Sequence, residues 1–367
     1  MLVLARPKPD YQIDLTRATM HAEWEDLIFY DLGRTALLAG LRALAVYPGD
    51  AVIVPAYICY STVEPMIAAG YRIFYIDVGH DLQLNPARAA ELAEASGAKA
   101  LLLVHYFGFP ASFEPLATAL RKHGVRIIED CCHSFLTRIG GKVIGLQGDA
   151  AIYSMRKTLP VPDGGALRLN CTADRSEVDI EKCAAPDIRR YLTHRSVEIQ
   201  IASLGWPNLY DYRIDLLKRY ARRAGKSKSI QAKPQLPSIH LRAYLASSDY
   251  LRQISDRFFT NHERLEDGVR KAGLSMHNAR LAAGCVPQWA VLCDPSERLV
   301  PWMRQHGVGA TRWPWFELPV AVSAAVDDYP VSNELNRRLA LLPIHQSIDT
   351  RQIDNMLTLL NKFAMRN

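Results

Sequence analysis

Apolar positions change their period at regular intervals between residue 33 and about residue 170. "GRTALLAGLRAL" (Gly33–Leu44) has helical spacing, and Gly33-Arg34-Thr35 marks its start. "AVIVPA" (Ala51–Ala56) is a continuous apolar run closed by a proline, which predicts a buried strand. The same unit then repeats. A helix over "STVEPMIAAG" (Ser61–Gly70) precedes a strand over "YRIFYID" (Tyr71–Asp77), and a helix over "ARAAELAEAS" (Ala87–Ser96) precedes a strand over "KALLLVHYFG" (Lys99–Gly108). "SFEPLATALRKHG" (Ser112–Gly124) and "VRIIED" (Val125–Asp130) complete the series. Apolar strands alternating with amphipathic helices predict an α/β fold, a mostly parallel, doubly wound sheet covered on both faces.

Beyond residue 171 the pattern changes. The segment to about residue 240 is mixed, with "AGKSKSIQAKPQLPS" (Ala224–Ser238) expected as an exposed loop. Tyr244–Gly273 has the spacing of one long helix, and short strands follow before a closing helix over Ile353–Ala364. This predicts a large domain over residues 1–255, with an N-terminal arm, and a smaller α+β domain over residues 256–367. A chain of 367 residues is more than one compact core usually takes, which agrees with two domains.

Composition narrows the function classes. The formal charge of +6 is spread along the chain, with one denser stretch at Leu216–Ser229. Such a stretch reads as a solvated helix face and loop, and no nucleic-acid-binding module accompanies it. No run of about 18 apolar residues predicts a membrane span, and the apolar start "MLVLARPKPDYQ" is too short for a signal peptide. Seven cysteines without framework spacing predict reduced thiols in a cytoplasmic enzyme.

In an open α/β sheet, ligands collect at the carboxyl ends of the strands. Asp130 ends one strand, Ser154 and Lys157 follow another ("AAIYSMRK"), and Thr35 opens the first helix. An acid, a lysine and a helix N-terminus at one edge suit a ligand with a cationic ring, a carbonyl carbon and a phosphate, and pyridoxal phosphate is such a ligand. A carboxylate facing the pyridine nitrogen keeps that nitrogen protonated. A lysine amine forms the Schiff base and then shuttles a proton, and a neighbouring cation, Arg156, favours its neutral form. Amides of the Arg34-Thr35 turn and the Ser154 hydroxyl can hold a phosphate dianion. Gly164-Gly165 lets the backbone turn tightly beside the lysine.

Each residue also has a purely structural use. Asp130 can cap the segment after its strand, Lys157 can be a surface lysine, and His133 can be a satisfied core histidine. Cys131-Cys132-His133 lacks zinc-site spacing, and "GGKVIG" (Gly140–Gly145) reads as a hairpin turn because no Ser or Thr follows its lysine. Trp313 and Trp315 in "TRWPWFEL" either line a substrate mouth or belong to the core of the small domain.

Taken in order, "GRTALLAGLRAL", "PGDAVIVPAYICYST", "AAGYRIFYIDV", "VHYFGFPAS", "IIEDCCHS", "GDAAIYSMRK", "DGGAL" and "YPVSNELNRRLALLPIH" resemble the DegT/DnrJ (StrS-like) family of pyridoxal-phosphate sugar aminotransferases. The resemblance implies the aspartate-aminotransferase fold (fold type I) and a homodimer. Lys157 would be the Schiff-base lysine, Asp130 the partner of the pyridine nitrogen, and His133 a contact of the phenolic oxygen. Ser154, Arg34 and Thr35 would hold the phosphate. Cys59 stands where the family has its ring-stacking aromatic, leaving that role to Tyr60 or Tyr57. The Gly-x-Asn-x-Arg segment, by which a second subunit reaches the phosphate, is missing. The implied reaction carries an amino group, with glutamate as a donor, to the keto group of a nucleotide-linked sugar. A decarboxylase or condensing enzyme on the same cofactor, and a regulatory protein that kept only the fold, are the alternatives.

Overall fold

The computed structural model describes residues 2–8, 13, 14, 16, 19–171, 189–203, 233–277, 281–314 and 318–366. The basic stretch 216–229 and Trp315 lie outside them, as does the loop expected over 224–238 apart from residues 233–238.

The expected alternation is present. Strand β1 (Ile28–Tyr30) leads into helix α1 (Gly33–Ala43), and β2 (Ala51–Pro55), α2 (Tyr60–Ala68), β3 (Arg72–Ile76), α3 (Pro86–Ser96), β4 (Ala100–Val104), α4 (Phe113–Leu120) and β5 (Arg126–Asp130) follow. A small hairpin of β6 (Arg138–Ile139) and β7 (Lys142–Val143) turns through Gly140 and Gly141, both at positive φ. Then come β8 (Ala150–Ser154) and β9 (Gly165–Leu169). Seven of these strands form one sheet in the order β1-β9-β8-β5-β4-β2-β3. β3, β2, β4, β5 and β8 are parallel, while β9 runs antiparallel between β8 and β1.

Strand periodicity explains the burial. Ala51, Ile53, Leu101, Leu103 and Ile127 point to one face, where Ala89 and Ala93 of α3 and Leu116 and Leu120 of α4 pack on them. Their neighbours Val52, Val54, Leu102, Val104 and Ile128 point the other way, onto Leu37 and Leu41 of α1 and Val63 and Met66 of α2. The helix ends follow local chemistry. The Asn85 side chain accepts from the Ala87 and Arg88 amides, Pro86 starts α3, and Gly97 ends it in the left-handed region. By contrast, no side chain caps α1.

The C-terminal part has a three-stranded antiparallel sheet of β10 (Ser275–Met276), β11 (Trp289–Cys293) and β12 (Leu339–Pro343). The helices Ser248–Lys271 and Thr350–Ala364 pack beside it, the second opened by a reciprocal Asp349–Gln352 capping box. The single helix expected over Tyr244–Gly273 is two helices, Ile239–Leu245 and Ser248–Lys271. The Ser247 hydroxyl accepts from the Tyr250 amide and starts a new helix inside the apolar pattern. Residue 255, the expected domain limit, falls within that second helix. No helix among the described residues is long and apolar enough to cross a membrane.

Candidate active site

A cavity of about 210 Å³ opens at the carboxyl ends of β2, β4, β5 and β8. Its wall includes Val104 and Asp130 at strand ends, Ile58 and Cys59 after β2, His133 after β5, and Arg156 and Lys157 after β8. Arg6, Gln288 and Trp313 close it from other parts of the chain. A larger cavity of about 460 Å³ lies between Trp24, Phe135 and the helix Ser248–Lys271. Four of its charged side chains form pairs, Arg138 with Glu23 and Arg252 with Asp249, and no lysine lines it. The candidate residues Asp130, His133 and Lys157 line the smaller cavity.

Asp130 is buried at the end of β5, and its Oδ1 accepts the Cys132 N–H at 2.9 Å. That bond closes a short turn and delivers His133 to the cavity. The His133 ring stacks on Phe107 (5.5 Å, 10°) and meets the edge of Trp313 (5.0 Å, 81°). Burial, and then the positive charge of Lys157, hold this imidazole well below its ordinary value, so it is neutral. Its Nδ1 is buried without a partner.

Behind Asp130, the adjacent Glu129 faces the opposite way. It accepts the amides of Gln147 and Gly148 at 2.7 and 2.6 Å and lies 2.9 Å from His105 Nε2. His105 Nδ1 accepts the Ala111 amide, so Nε2 carries the proton and donates to Glu129. His105, Glu129 and Cys131 lie close enough to suggest a metal site, but the imidazole and carboxylate already satisfy each other. The pair fixes the end of β5 against β4.

The segment "SMRKTLPVPDGG" folds back on itself after β8. Met155 N–H donates to Gly164 C=O (2.8 Å), and the Thr158 and Leu159 amides return to Met155 C=O (2.9 and 2.7 Å). Gly164 takes φ +106°, and a Cβ there would meet the Met155 Cβ at 2.9 Å. Asp163 accepts both the amide and the hydroxyl of Ser238 at 2.7 Å, which ties the loop to the start of the helix Ile239–Leu245. Gln288 Nε2 donates to the Lys157 carbonyl at 3.4 Å. The prolines and glycines that end this segment hold Lys157 at the cavity on a tight return.

The N-terminus of α1 abuts the end of β8. A Cβ on Gly33 would lie 2.9 Å from Cys132 Sγ, 3.1 Å from the Tyr153 carbonyl and 3.3 Å from Ser154 Cβ. Thr35 Oγ1 and Arg34 Nε are buried there without hydrogen-bond partners, close to the buried Ser154. Orphaned polar atoms of this kind are costly unless a ligand meets them.

The structure thus brings Asp130, His133, Lys157, Cys59 and Arg156 onto one wall, with Arg34, Thr35 and Ser154 grouped at the uncapped helix start. Tyr57 is not on the wall. It is fully buried against the edge of Trp313 (4.8 Å) and against Tyr106 (5.6 Å), and burial pushes its hydroxyl well up. Tyr60 begins α2 and does not line the cavity either. The exposed aromatic faces come from Trp289 and Trp313. Sequence reasoning passed over Arg6 and Gln288, whose places depend on contacts across most of the chain. The "PQW" that leads into β11 is a local signal for Gln288 alone.

Residues 28–183 match the model of the DegT/DnrJ/EryC1/StrS aminotransferase family. The chain is 24% identical over 333 residues to a UDP-N-acetyl-3-dehydro-α-D-glucosamine 3-aminotransferase of Acidithiobacillus ferrooxidans, covering 90% of this chain and 82% of that one. Its fold is similar to a DegT DnrJ EryC1 StrS aminotransferase from Brucella abortus (TM-score 0.65, 19% identity, 92% of this chain and 86% of that one). It is also similar to a Streptococcus pneumoniae protein solved in a PLP form (TM-score 0.71, 14% identity, 100% and 99%). These findings bear out the family resemblance and fold class drawn from the sequence, and with them the aminotransferase reading.

Proposed function

We propose, on the premise of the DegT/DnrJ/EryC1/StrS aminotransferase match, that this chain is a pyridoxal-phosphate-dependent aminotransferase acting on a nucleotide-linked keto sugar. The observation that carries this reading is the convergence of Asp130, His133 and Lys157 on one cavity, beside a helix start whose buried polar atoms have no partners. That set fits pyridoxal phosphate. Asp130 would face the ring nitrogen, His133 the phenolic oxygen, and Thr35, Arg34 and Ser154 the phosphate. Cys59 and Trp313 would flank the ring.

The bound cofactor would act as an electron sink for the carbon that loses its proton. The remaining work falls to the chain. Lys157 would hold the cofactor through Nζ and, once freed by an amino donor such as glutamate, would move the proton from the donor's α-carbon. Asp130 would meet the ring nitrogen as a hydrogen-bond acceptor, and its Cys132 bond fixes its direction. His133, neutral and clamped between Phe107 and Trp313, can hydrogen-bond without adding charge. The walls of Ile58, Val104 and Trp313 exclude water. A cytoplasmic homodimer completes this reading.

Borohydride reduction of protein incubated with pyridoxal phosphate, followed by peptide mapping, is expected to place the adduct on Lys157. The same protein, given glutamate and no acceptor, should release one equivalent of 2-oxo acid, and Lys157→Ala should release none. An adduct on another residue refutes the assignment. No 2-oxo acid from any proteinogenic amino acid refutes the aminotransferase reading.

A further inference from the structure

The first residues of the chain lie along its C-terminal part and are held there by many bonds. Val3 pairs with Val308, its amide donating to Gly307 C=O (2.9 Å) and its carbonyl accepting from Gly309 (2.7 Å). Gln352 Nε2 donates to the Leu2 carbonyl at 2.7 Å, and His345 Nε2 lies 3.0 Å from that of Leu4. Arg195 donates to the Pro7 carbonyl at 2.6 Å, and the Lys8 amide donates to Ser347 Oγ at 3.0 Å. Packing is close enough that a Cβ on Gly309 would meet the Ala5 amide at 2.4 Å. Fixed on both sides, the arm makes Ala5 and Arg6 part of the cavity wall.

A second arginine shares this wall with Arg6, and a third lies near it. Arg156 precedes Lys157 and lines the same cavity, and Arg34 comes from the first turn of α1. Burial, and then the charges of Arg6 and Arg34, lower the Arg156 guanidinium to about 10. Three cations from distant parts of the chain therefore crowd one another around an uncapped helix N-terminus, where Thr35 Oγ1 is buried without a partner. Like charges near one another repel, and a doubly charged anion between them lowers that repulsion. The guanidinium fork matches phosphate geometry.

We propose that Arg6, Arg34 and Arg156 form a cup for the cofactor's phosphate, closed by the chain's own N-terminal arm. This rests on the function proposed above, because Arg156 and Lys157 are adjacent and a ligand joined to one presents its phosphate near the other.

The test titrates apoprotein with pyridoxal phosphate and with pyridoxal, which lacks the phosphate, following quenching of Trp289 and Trp313 fluorescence. Arg6→Gln and Arg156→Gln are each expected to weaken pyridoxal phosphate about ten- to a hundredfold, the scale of one charged hydrogen bond, and to leave pyridoxal unchanged. Arg6→Lys, which keeps the charge if glutamine disturbs the arm, should show the smaller loss of the same kind. Equal losses for both ligands, or no loss for either, overturn the cup. A loss of UDP binding with pyridoxal phosphate unaffected also overturns it, because the arginines would then serve the acceptor. Wild-type protein that binds neither pyridoxal compound instead refutes the proposed function itself.

Discussion

Gly165→Ala tests whether the sheet itself positions the helix start on which the site depends. Gly165 lies in β9 between Tyr30 of β1 and Ser154 of β8. A Cβ there would fall 2.2 Å from the Leu32 carbonyl carbon, 2.3 Å from its oxygen and 2.7 Å from its Cα. Ordinary contact begins at 3.4 Å, so Leu32 must retreat by about 1.2 Å. Leu32 is backbone at the clash and has no rotamer by which to escape. Its carbonyl also accepts the Thr35 and Ala36 amides (3.0 and 3.1 Å) that start α1, so moving it displaces the first turn.

Overpacking costs about 1–3 kcal/mol, and disturbing those two bonds adds about 1 kcal/mol. A loss of about 3 kcal/mol is expected, roughly a 150-fold change in the folding equilibrium. Gly40→Ala is the control on the same interface. Its Cβ would meet only the end of the Leu167 side chain at 3.0 Å, and alanine gains up to about 1 kcal/mol of helix propensity there. Urea unfolding of the apoproteins should show Gly165→Ala destabilised and Gly40→Ala near wild type. Displacement of Arg34 and Thr35 should also weaken pyridoxal phosphate more than pyridoxal. If Gly165→Ala stays within about 0.5 kcal/mol of wild type and binds both ligands normally, the close approach of β9 to Leu32 does not position α1.

Two further outcomes follow from single side chains. Asp130→Asn should slow 2-oxo acid release about a hundred- to a thousandfold, equivalent to about 3 to 4 kcal/mol. Its amide oxygen can still accept the Cys132 N–H, so the fold and the Lys157 adduct should persist, and an unchanged rate contradicts the assignment. His262 and His345 are buried, and burial holds both at about 4 against an ordinary 6.5. Between those values the unfolded chain binds protons that the fold refuses. Stability should therefore be full above pH 6.5 and fall as pH drops toward 4, by about 3 kcal/mol per histidine. His345→Gln should flatten that slope in unfolding series at pH 4 to 7, and an unaltered slope refutes the linkage.

What the sequence made legible was what local pattern controls. Period-2 burial in "AVIVPA" and "VRIIED" and period-3.6 burial in "GRTALLAGLRAL" are each decided within a dozen residues, so the parallel sheet and α1 could be read directly. Asp130, Ser154 and Lys157 could be read for a related reason, since residues that follow buried parallel strands must emerge at the carboxyl edge. The break at Ser247 was hidden because one hydroxyl outweighed an unbroken apolar stripe. The antiparallel β9 was hidden because strand direction depends on the length of the return after Lys157, not on the strand's own residues. Arg6 was the hardest to see. Its position depends on Arg195, Gly307, Gly309, His345 and Gln352, all far along the chain, and nothing in "MLVLARP" announces them. A terminal arginine has no local reason to be ordered. Once six long-range bonds hold the arm, its backbone entropy has already been lost, and Arg6 can meet an anion at little further cost. The arm therefore acts by preorganisation, which explains why its role is visible only in the folded chain.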